Sequence, residues 1–238
     1  MPSLTNAVVL VTGANGGIGT EFVRAALDRG ASKVYATARN PQTWTDDRIV
    51  PLPLDVTDAD SIEAAVSAAG DVTVVINNAG GVPPTASMLD ISEADLRANL
   101  ELNFFAPVRV SRAFAPILIA ADGAALVNIH SVASWYAFGG TYSASKAALW
   151  SATNSLRLEL DPLGVLVTGV HVGYVDTRMA AHADGPKMLP GDLVAAVYDA
   201  VEAGAYEVVA DDISARIKSG LAAPIEVLYP ELRTAGGN

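Results

Sequence analysis

The stretch Val8–Gly19, VVLVTGANGGIG, constrains this chain more than any other. A short apolar run, Val8–Val11, meets a turn with glycine at 13, 16, 17 and 19, and helical spacing follows over Thr20–Asp28 up to Gly30. Strand, tight turn and helix in that order predict the first half of a βαβ unit. Glycine has no Cβ, so the turn can bend sharply and let a pyrophosphate approach the backbone. The helix after it would aim its unpaired N–H groups and positive dipole end at the same place. A glycine-rich turn alone is also what an ordinary loop contains, so its meaning depends on the rest of the chain.

The chain has 238 residues, sized for one large domain over 1–238 with a buried core. Half of it is apolar (51%) and it contains no cysteine, which rules out a disulfide framework and a thiol nucleophile. A net charge of −11 argues against a nucleic-acid surface. The N-terminus lacks a basic leader, and no apolar run reaches spanning length without Gly, Pro or a charge, so the expectation is no membrane and a cytoplasmic location. The three histidines, His130, His171 and His182, are in no ligand spacing, and no metal is expected.

Lys33–Ala38 reads as a second strand. In dinucleotide folds an acid at its end binds the ribose 2′-hydroxyl, whereas an arginine nearby accommodates a 2′-phosphate. Ala38 stands where the acid would be and Arg39 follows, favouring NADP(H) over NAD(H). Ile49–Asp55 is a third strand made edge-like by two prolines, and Asp58–Ala69 is helical. Asp55 is read as a turn residue or an adenine-edge contact. Val72–Ile76 has the continuous apolar character of a strand buried on both faces and runs into Asn77–Gly80. Ser87–Leu118 is largely helical with a break before the long helix, and it holds Asn103 among apolar neighbours, where a buried amide must be hydrogen-bonded. Ala124–His130 is a strand that delivers Ser131 at its C-terminal end, where open parallel sheets bind ligands. His130 and Ser131 do not form a hydrolase pair, because no G-x-S-x-G elbow is present.

Tyr142 and Lys146 are four apart, on one helix face. An ammonium beside a phenol would lower the phenol's pKa from about 10, so that the pair could exchange a proton with a substrate oxygen.

In order along the chain, Thr12–Gly19 (TGANGGIG), Asn77–Gly80 (NNAG), Asn103, Ser131 and Tyr142/Lys146 resemble the motifs of the short-chain dehydrogenase/reductase family. The resemblance covers nearly the whole chain. It implies a single α/β domain, a doubly wound Rossmann sheet of seven parallel strands in the order 3-2-1-4-5-6-7, with helices on both faces. It implies an NADP(H)-dependent oxidoreductase interconverting a carbonyl and a secondary alcohol. The open alternatives are an NAD-dependent alcohol dehydrogenase and a catalytically silent NAD(P)-sensing protein. By the same resemblance Tyr142 is the general acid/base, Lys146 holds the ribose and lowers the Tyr142 pKa, Ser131 positions the substrate oxygen, and Asn103 supports a relay water. Cofactor contacts would come from Gly13, Asn15, Gly17, Ile18, Gly19, Arg39, Asp55, Val56, Asn78, Ala79, Gly80, Tyr142, Lys146, Gly173, Val175 and Thr177. The partners implied are a small carbonyl or alcohol substrate and further copies of the chain, as homodimer or homotetramer.

Three departures stand out. Val172 replaces a proline common before Gly173, His130 replaces a serine common before Ser131, and the loop between Ser131 and Tyr142 is short. The histidine is expected to alter packing more than chemistry. A lid spans about 177–190, with Gly185-Pro186 as a break, and Trp135, Tyr136, Phe138, Met179 and Met188 are pocket-lining candidates, as is His182. Gly191–Ala203 is an amphipathic helix, Tyr206–Ala210 the closing strand, Asp212–Ala223 a final helix and Thr234–Asn238 a loose tail.

Overall fold

Alternation along the central strands places two hydrophobic cores on opposite faces of one sheet. In β1 (Val8–Thr12) Val9 and Val11 face one core while Leu10 faces the other; in β4 (Val74–Asn77) Val74 and Ile76 oppose Val75; in β5 (Ala125–Ile129) Ala125 and Val127 oppose Leu126. A period of two on strands apolar at every position requires cover on both sides. The computed structural model describes residues 2–181 and 183–234. Its sheet has seven parallel strands in the order β3-β2-β1-β4-β5-β6-β7, as expected, with β2 at Lys33–Ala38, β3 at Ile49–Pro53, β6 at Leu166–His171 and β7 at Glu207–Val209.

One layer consists of α1 (Ile18–Asp28) and α6 (Pro190–Glu202), which meet through Phe22 and Tyr198, edge to face at 5.5 Å. Burying the Tyr198 ring obliges its hydroxyl to find a partner, and it donates to the Phe22 carbonyl at 2.8 Å. The other layer contains α2 (Ala59–Ala68), α4 (Ala106–Ala120) and α5 (Thr141–Leu160). The prolines of β3 are tolerated because, among the described residues, β3 is an edge strand paired to β2 alone. The chain ends in α7 (Asp212–Ser219), α8 (Ile225–Leu228) and α9 (Glu231–Thr234).

One expectation is corrected. No break precedes the long helix: α3 (Glu93–Leu100) joins α4 through a π turn at Glu101–Phe105, giving 28 helical residues in all. The extra residue of a π turn rotates Asn103 inward without interrupting the backbone ladder. By length and composition this helix could cross a membrane, yet Ala106, Val110, Phe114 and Leu118 are spent on the core beneath the sheet. His182, residues 235–238 of the expected tail and Met1 lie outside the described residues.

Parallel strands send their C-terminal ends to one edge. That edge therefore carries the glycine turn after β1, Arg39 after β2, Asp55 after β3, Asn78–Gly80 after β4, Ser131 after β5 and Gly173 after β6. The sheet order reverses between β1 and β4, the place where open α/β sheets take ligands.

Candidate active site

The glycine turn is held by Thr12 and the asparagine loop. The Thr12 hydroxyl accepts from the backbone N–H of Asn78 and of Ala79, both at 3.0 Å, and the Asn78 side-chain amide donates to the Thr12 carbonyl at 2.9 Å. A Cβ at Gly19 would stand 2.2 Å from the Gly13 carbonyl oxygen, and one at Gly13 would meet the Ala79 backbone at 3.1 Å. These two glycines let the turn and the asparagine loop touch. Gly17, at φ 52°, caps α1 with no side-chain hydrogen bond, leaving the first N–H groups of the helix without a side-chain partner beside Ile18. At Gly16 a Cβ would meet nothing within 4 Å. An uncapped helix start in front of an open cradle suits a phosphate group.

Arg39 is exposed, with the Asp55 carboxylate as a charged neighbour. Asp55 accepts from the N–H and hydroxyl of Thr57, and these bonds hold its carboxyl below the usual range. Val56 is buried in the core. The Asn15 side chain bonds the backbone at Asn40 (2.6 Å) and Gln42 (3.0 Å), tying the glycine turn to the loop that carries Arg39. Thr177 packs its methyl 3.1 Å from where a Gly17 Cβ would be, so the chain after β6 lies against the glycine turn. The two ends of the segment expected to form a lid are joined: Val175 pairs with Met188, Asp176 N–H donates to the Met188 carbonyl and Met188 N–H to the Tyr174 carbonyl.

Asn103, Ser131, Tyr142 and Lys146, dispersed over the chain, converge beside Gly80. A Cβ on Gly80 would be 3.1 Å from Asn103 Oδ1 and 3.6 Å from Lys146 Nζ. Asn103 is fully buried; its amide donates to the Gly81 carbonyl (2.8 Å) and Ser145 Oγ (3.1 Å) and accepts from the Gly81 N–H (2.9 Å). Ser131 faces the Tyr142 phenol and favours its ionised form, while its own Oγ accepts from the Ala133 N–H at 3.2 Å and lies 3.4 Å from the Val172 carbonyl oxygen. Lys146, one helical turn after Tyr142, donates to the Ile129 carbonyl at 2.8 Å and lies 5.8 Å from the Tyr142 ring.

That placement corrects the expectation that Lys146 lowers the Tyr142 pKa. Burial raises the Tyr142 pKa above its ordinary value, against a downward pull from Ser131, and Tyr174 adds to the rise. The Lys146 ammonium is committed to a backbone carbonyl, and burial brings it down to about 8. The phenol is therefore a proton holder at neutral pH.

Gly173 is closely packed by the chain itself. A Cβ there would meet Ile213 at 2.9 Å and the Asp211 carboxylate at 3.0 Å, and its N–H donates to Asp211 at 2.6 Å. The missing side chain admits the Asp211 cap of α7. Among the pocket candidates, Trp135 is buried and stacked on His171, and Met188 packs against the core. Phe138 and Met179 are exposed. Tyr136 stacks on Tyr229 at 4.7 Å, and the Ala137 N–H donates to the Tyr229 hydroxyl. Sequence reasoning missed Tyr229 and Tyr174; no local pattern marks a C-terminal tyrosine as the neighbour of a loop ninety-odd positions earlier.

Residues 7–187 match the family model of the short chain dehydrogenases. The chain is 41% identical over 189 residues to the short-chain dehydrogenase ptmH of Penicillium ochrochloron, covering 72% of this chain and 66% of that one. It is 38% identical over 182 residues to an NADPH-dependent 1-acyldihydroxyacetone phosphate reductase of Schizosaccharomyces pombe, covering 72% and 60%. The match thus spans less than two thirds of these relatives' own length. A crystal structure of a short chain dehydrogenase from Burkholderia cenocepacia in complex with NADP superposes with a TM-score of 0.89 at 35% identity, covering 97% of this chain and 99% of that one. On the motif residues gathered at one sheet edge, the strand order and these likenesses, the chain belongs to the short chain dehydrogenase family.

Proposed function

We propose that this protein is an NADP(H)-dependent oxidoreductase that interconverts a carbonyl and a secondary alcohol, working as a ketone or aldehyde reductase. The carrying observation is the convergence of Ser131 and the Tyr142 phenol, with the buried Lys146 ammonium beside them, at the switch-point edge of the sheet. A carbonyl oxygen received by this pair would be hydrogen-bonded by both hydroxyls. Tyr142, protonated at neutral pH, would give its proton to that oxygen as charge develops there. Lys146, about 8 and so cationic at pH 7, gives one N–H to the Ile129 carbonyl and would hold the cofactor ribose with another. Asn103 holds the Gly81 backbone on both its N–H and its carbonyl, which fixes the loop facing Lys146.

The cofactor reading rests on the same edge. The open cradle at Gly16 and the uncapped start of α1 would hold the pyrophosphate, and Arg39 would meet a 2′-phosphate. NADPH, when bound, supplies the hydride. Two relatives lend support: one is described as NADPH-dependent and the Burkholderia structure contains NADP. Exposed Phe105, Ile119 and Leu158 on the helical layer support a homo-oligomer.

Titration with NADPH and NADH tests the cofactor reading without a substrate. NADPH is expected to bind at least about tenfold tighter, or roughly 1.4 kcal/mol, and Arg39→Ala to erase the difference. Equal affinities in the unaltered protein would overturn it. Tyr142→Phe is expected to abolish NADPH-dependent turnover of a carbonyl panel in a protein that still binds NADPH; surviving turnover would remove Tyr142 from the mechanism.

A further inference from the structure

Behind Ser131, away from the open edge, lies a chain of buried polar side chains that the mechanism above does not use. The Asn77 amide donates to Asn128 Oδ1 at 2.9 Å, and the Asn128 amide donates to Thr153 Oγ1 at 2.9 Å. Thr153 Oγ1 is 2.9 Å from His130 Nε2, His130 Nδ1 is 3.1 Å from His171 Nε2, and His171 Nδ1 is 3.3 Å from the Ser131 carbonyl oxygen. All five side chains are at most 4% exposed. The chain crosses β4, β5, α5 and β6 and ends on the backbone of Ser131, the residue that faces the Tyr142 phenol.

The site is built around the two imidazoles. A Cβ at Gly169 would lie 2.7 Å from His130 Cε1, so this glycine on β6 makes the room that the His130 ring fills. Trp135 stacks face to face on His171 at 3.7 Å with 12° between the planes, and Trp150 meets it edge-on. Burial keeps both rings neutral: it pushes His171 down to about 3 and His130 well below its ordinary value. The charged groups around them are Glu207 on β7, 3.7 Å from His171 Nε2, with Lys218 of α7 ion-paired to it, and Lys146 and Arg157 of α5. For His171 desolvation dominates, the bond to the Ser131 carbonyl favours protonation, and the three cations add to the fall.

Proton accounting gives the relay a direction. A neutral imidazole has one donor and one acceptor. The Ser131 carbonyl can only accept, so the proton of His171 is on Nδ1. His171 Nε2 then accepts, which places the His130 proton on Nδ1. His130 Nε2 accepts in turn, from the Thr153 hydroxyl, whose oxygen accepts from Asn128. Every donor points toward Ser131. The Thr153 hydroxyl has one alternative acceptor, the Leu149 carbonyl at 2.8 Å, already the ordinary helical acceptor for Thr153 N–H. Turned that way it would reverse both tautomers and set a bare His171 nitrogen against the Ser131 oxygen, two lone pairs face to face.

We propose that His130 and His171 are positioning residues for Ser131: a one-directional hydrogen-bond relay anchored at Asn77 and Thr153 ends on the Ser131 carbonyl and holds its hydroxyl in register with Tyr142. The proposal rests on the reading of Ser131 and Tyr142 as the pair that receives the carbonyl oxygen. Ser131 itself is extended, at φ −168° and ψ 162°, and its carbonyl takes a second bond from the Ser134 N–H at 3.0 Å. His171 supplies the bond from the sheet side. Reacting groups lose rate steeply with small displacements.

The test has a spectroscopic and a kinetic arm. Imidazole nitrogen NMR at pH 7 on the full chain is expected to show both His130 and His171 protonated on Nδ1. An Nε2-protonated His171 would overturn the relay. In the kinetic arm, NADPH oxidation with 4-nitrobenzaldehyde as probe is followed for Thr153→Val, Thr153→Ser and two His171 variants. Thr153→Val removes the hydroxyl at nearly constant shape and is expected to lower kcat about tenfold with KM unchanged, and Thr153→Ser to restore it. His171→Phe keeps a ring on Trp135 but no donor; His171→Asn loses the stack but keeps a donor near the Nδ1 position. His171→Asn is expected to be the less stable and the more active of the two, the reverse of what a purely packing role gives. Unchanged kcat in both Thr153→Val and His171→Phe, with Tyr142→Phe inactive, would sink the relay alone. An active Tyr142→Phe would sink the underlying reading instead.

Discussion

Gly19→Ala puts two opposing effects on one residue. Gly19 is inside α1, where alanine is the better helix former by about 0.8–1.0 kcal/mol. Propensity alone therefore expects stabilisation. Packing expects the opposite: the new Cβ would lie 2.2 Å from the Gly13 carbonyl oxygen and 2.9 Å from the Asn78 amide nitrogen. To reach an acceptable 3.0 Å separation the turn must open by about 0.8 Å. The obstruction is backbone, and the turn is tied on its other side by the Asn78 bonds to Thr12 and Gly13, so neither side can swing away freely. Forced overpacking costs about 1–3 kcal/mol. A rigid obstacle places this case at the upper end, leaving a net loss of about 2 kcal/mol after the propensity gain. For a chain of this size that is a Tm fall of about 4–8 °C. Gly16→Ala is the control, since its Cβ meets nothing within 4 Å; a surface change of that kind stays within about 0.5 kcal/mol. The assay is thermal unfolding of the apo protein by circular dichroism, followed by NADPH titration of each variant. Gly19→Ala should lose both stability and NADPH affinity, whereas any affinity loss in Gly16→Ala should come without a loss of stability. A Gly19→Ala protein as stable as the unaltered chain would refute the packing argument.

Two further outcomes follow from the burial pattern. Phe114→Ala, at a fully buried ring between α4 and the sheet, should cost about 4 kcal/mol and lower Tm on the order of 10 °C; a fall under a quarter of that in thermal unfolding would mean the site collapses around the smaller side chain. Acid should destabilise the fold through its buried histidines. Unfolded His171 takes a proton near about 6.5, but the folded residue resists until about 3. Between those values the unfolded state binds more protons, so this stability is present above about pH 6.5 and is lost as pH falls through that window. Urea unfolding at pH 7 and pH 5 should show a smaller acid loss in His171→Phe than in the unaltered protein, and equal losses would count against the assignment.

Much of the active edge was legible in the sequence because its residues are constrained by local chemistry. The glycine turn needs bare backbone, Ser131 follows a buried strand, and Tyr142 and Lys146 share a helix face. The strand order came from the resemblance that those motifs carry. What local chemistry did not show was which atom each polar group would choose. Lys146 and Tyr142 were expected to interact as charge and phenol, and the tertiary structure instead gives the ammonium to the Ile129 carbonyl. Gly173 looked like room for a ligand, and no local pattern showed that the Asp211 cap also packs against it.

The sequence by itself determined the strand–turn–helix start, the two-faced strands and the residue types at the sheet edge, because each depends on neighbours within a few positions. Only the tertiary structure decided the partners. His130 and His171 are 41 positions apart, and nothing in one dimension links them. They become a hydrogen-bonded pair because β5 and β6 are adjacent, Gly169 leaves a hole for one ring, and Trp135 covers the other. A buried polar group must be paired, but which group pairs it is settled by the packing of distant strands.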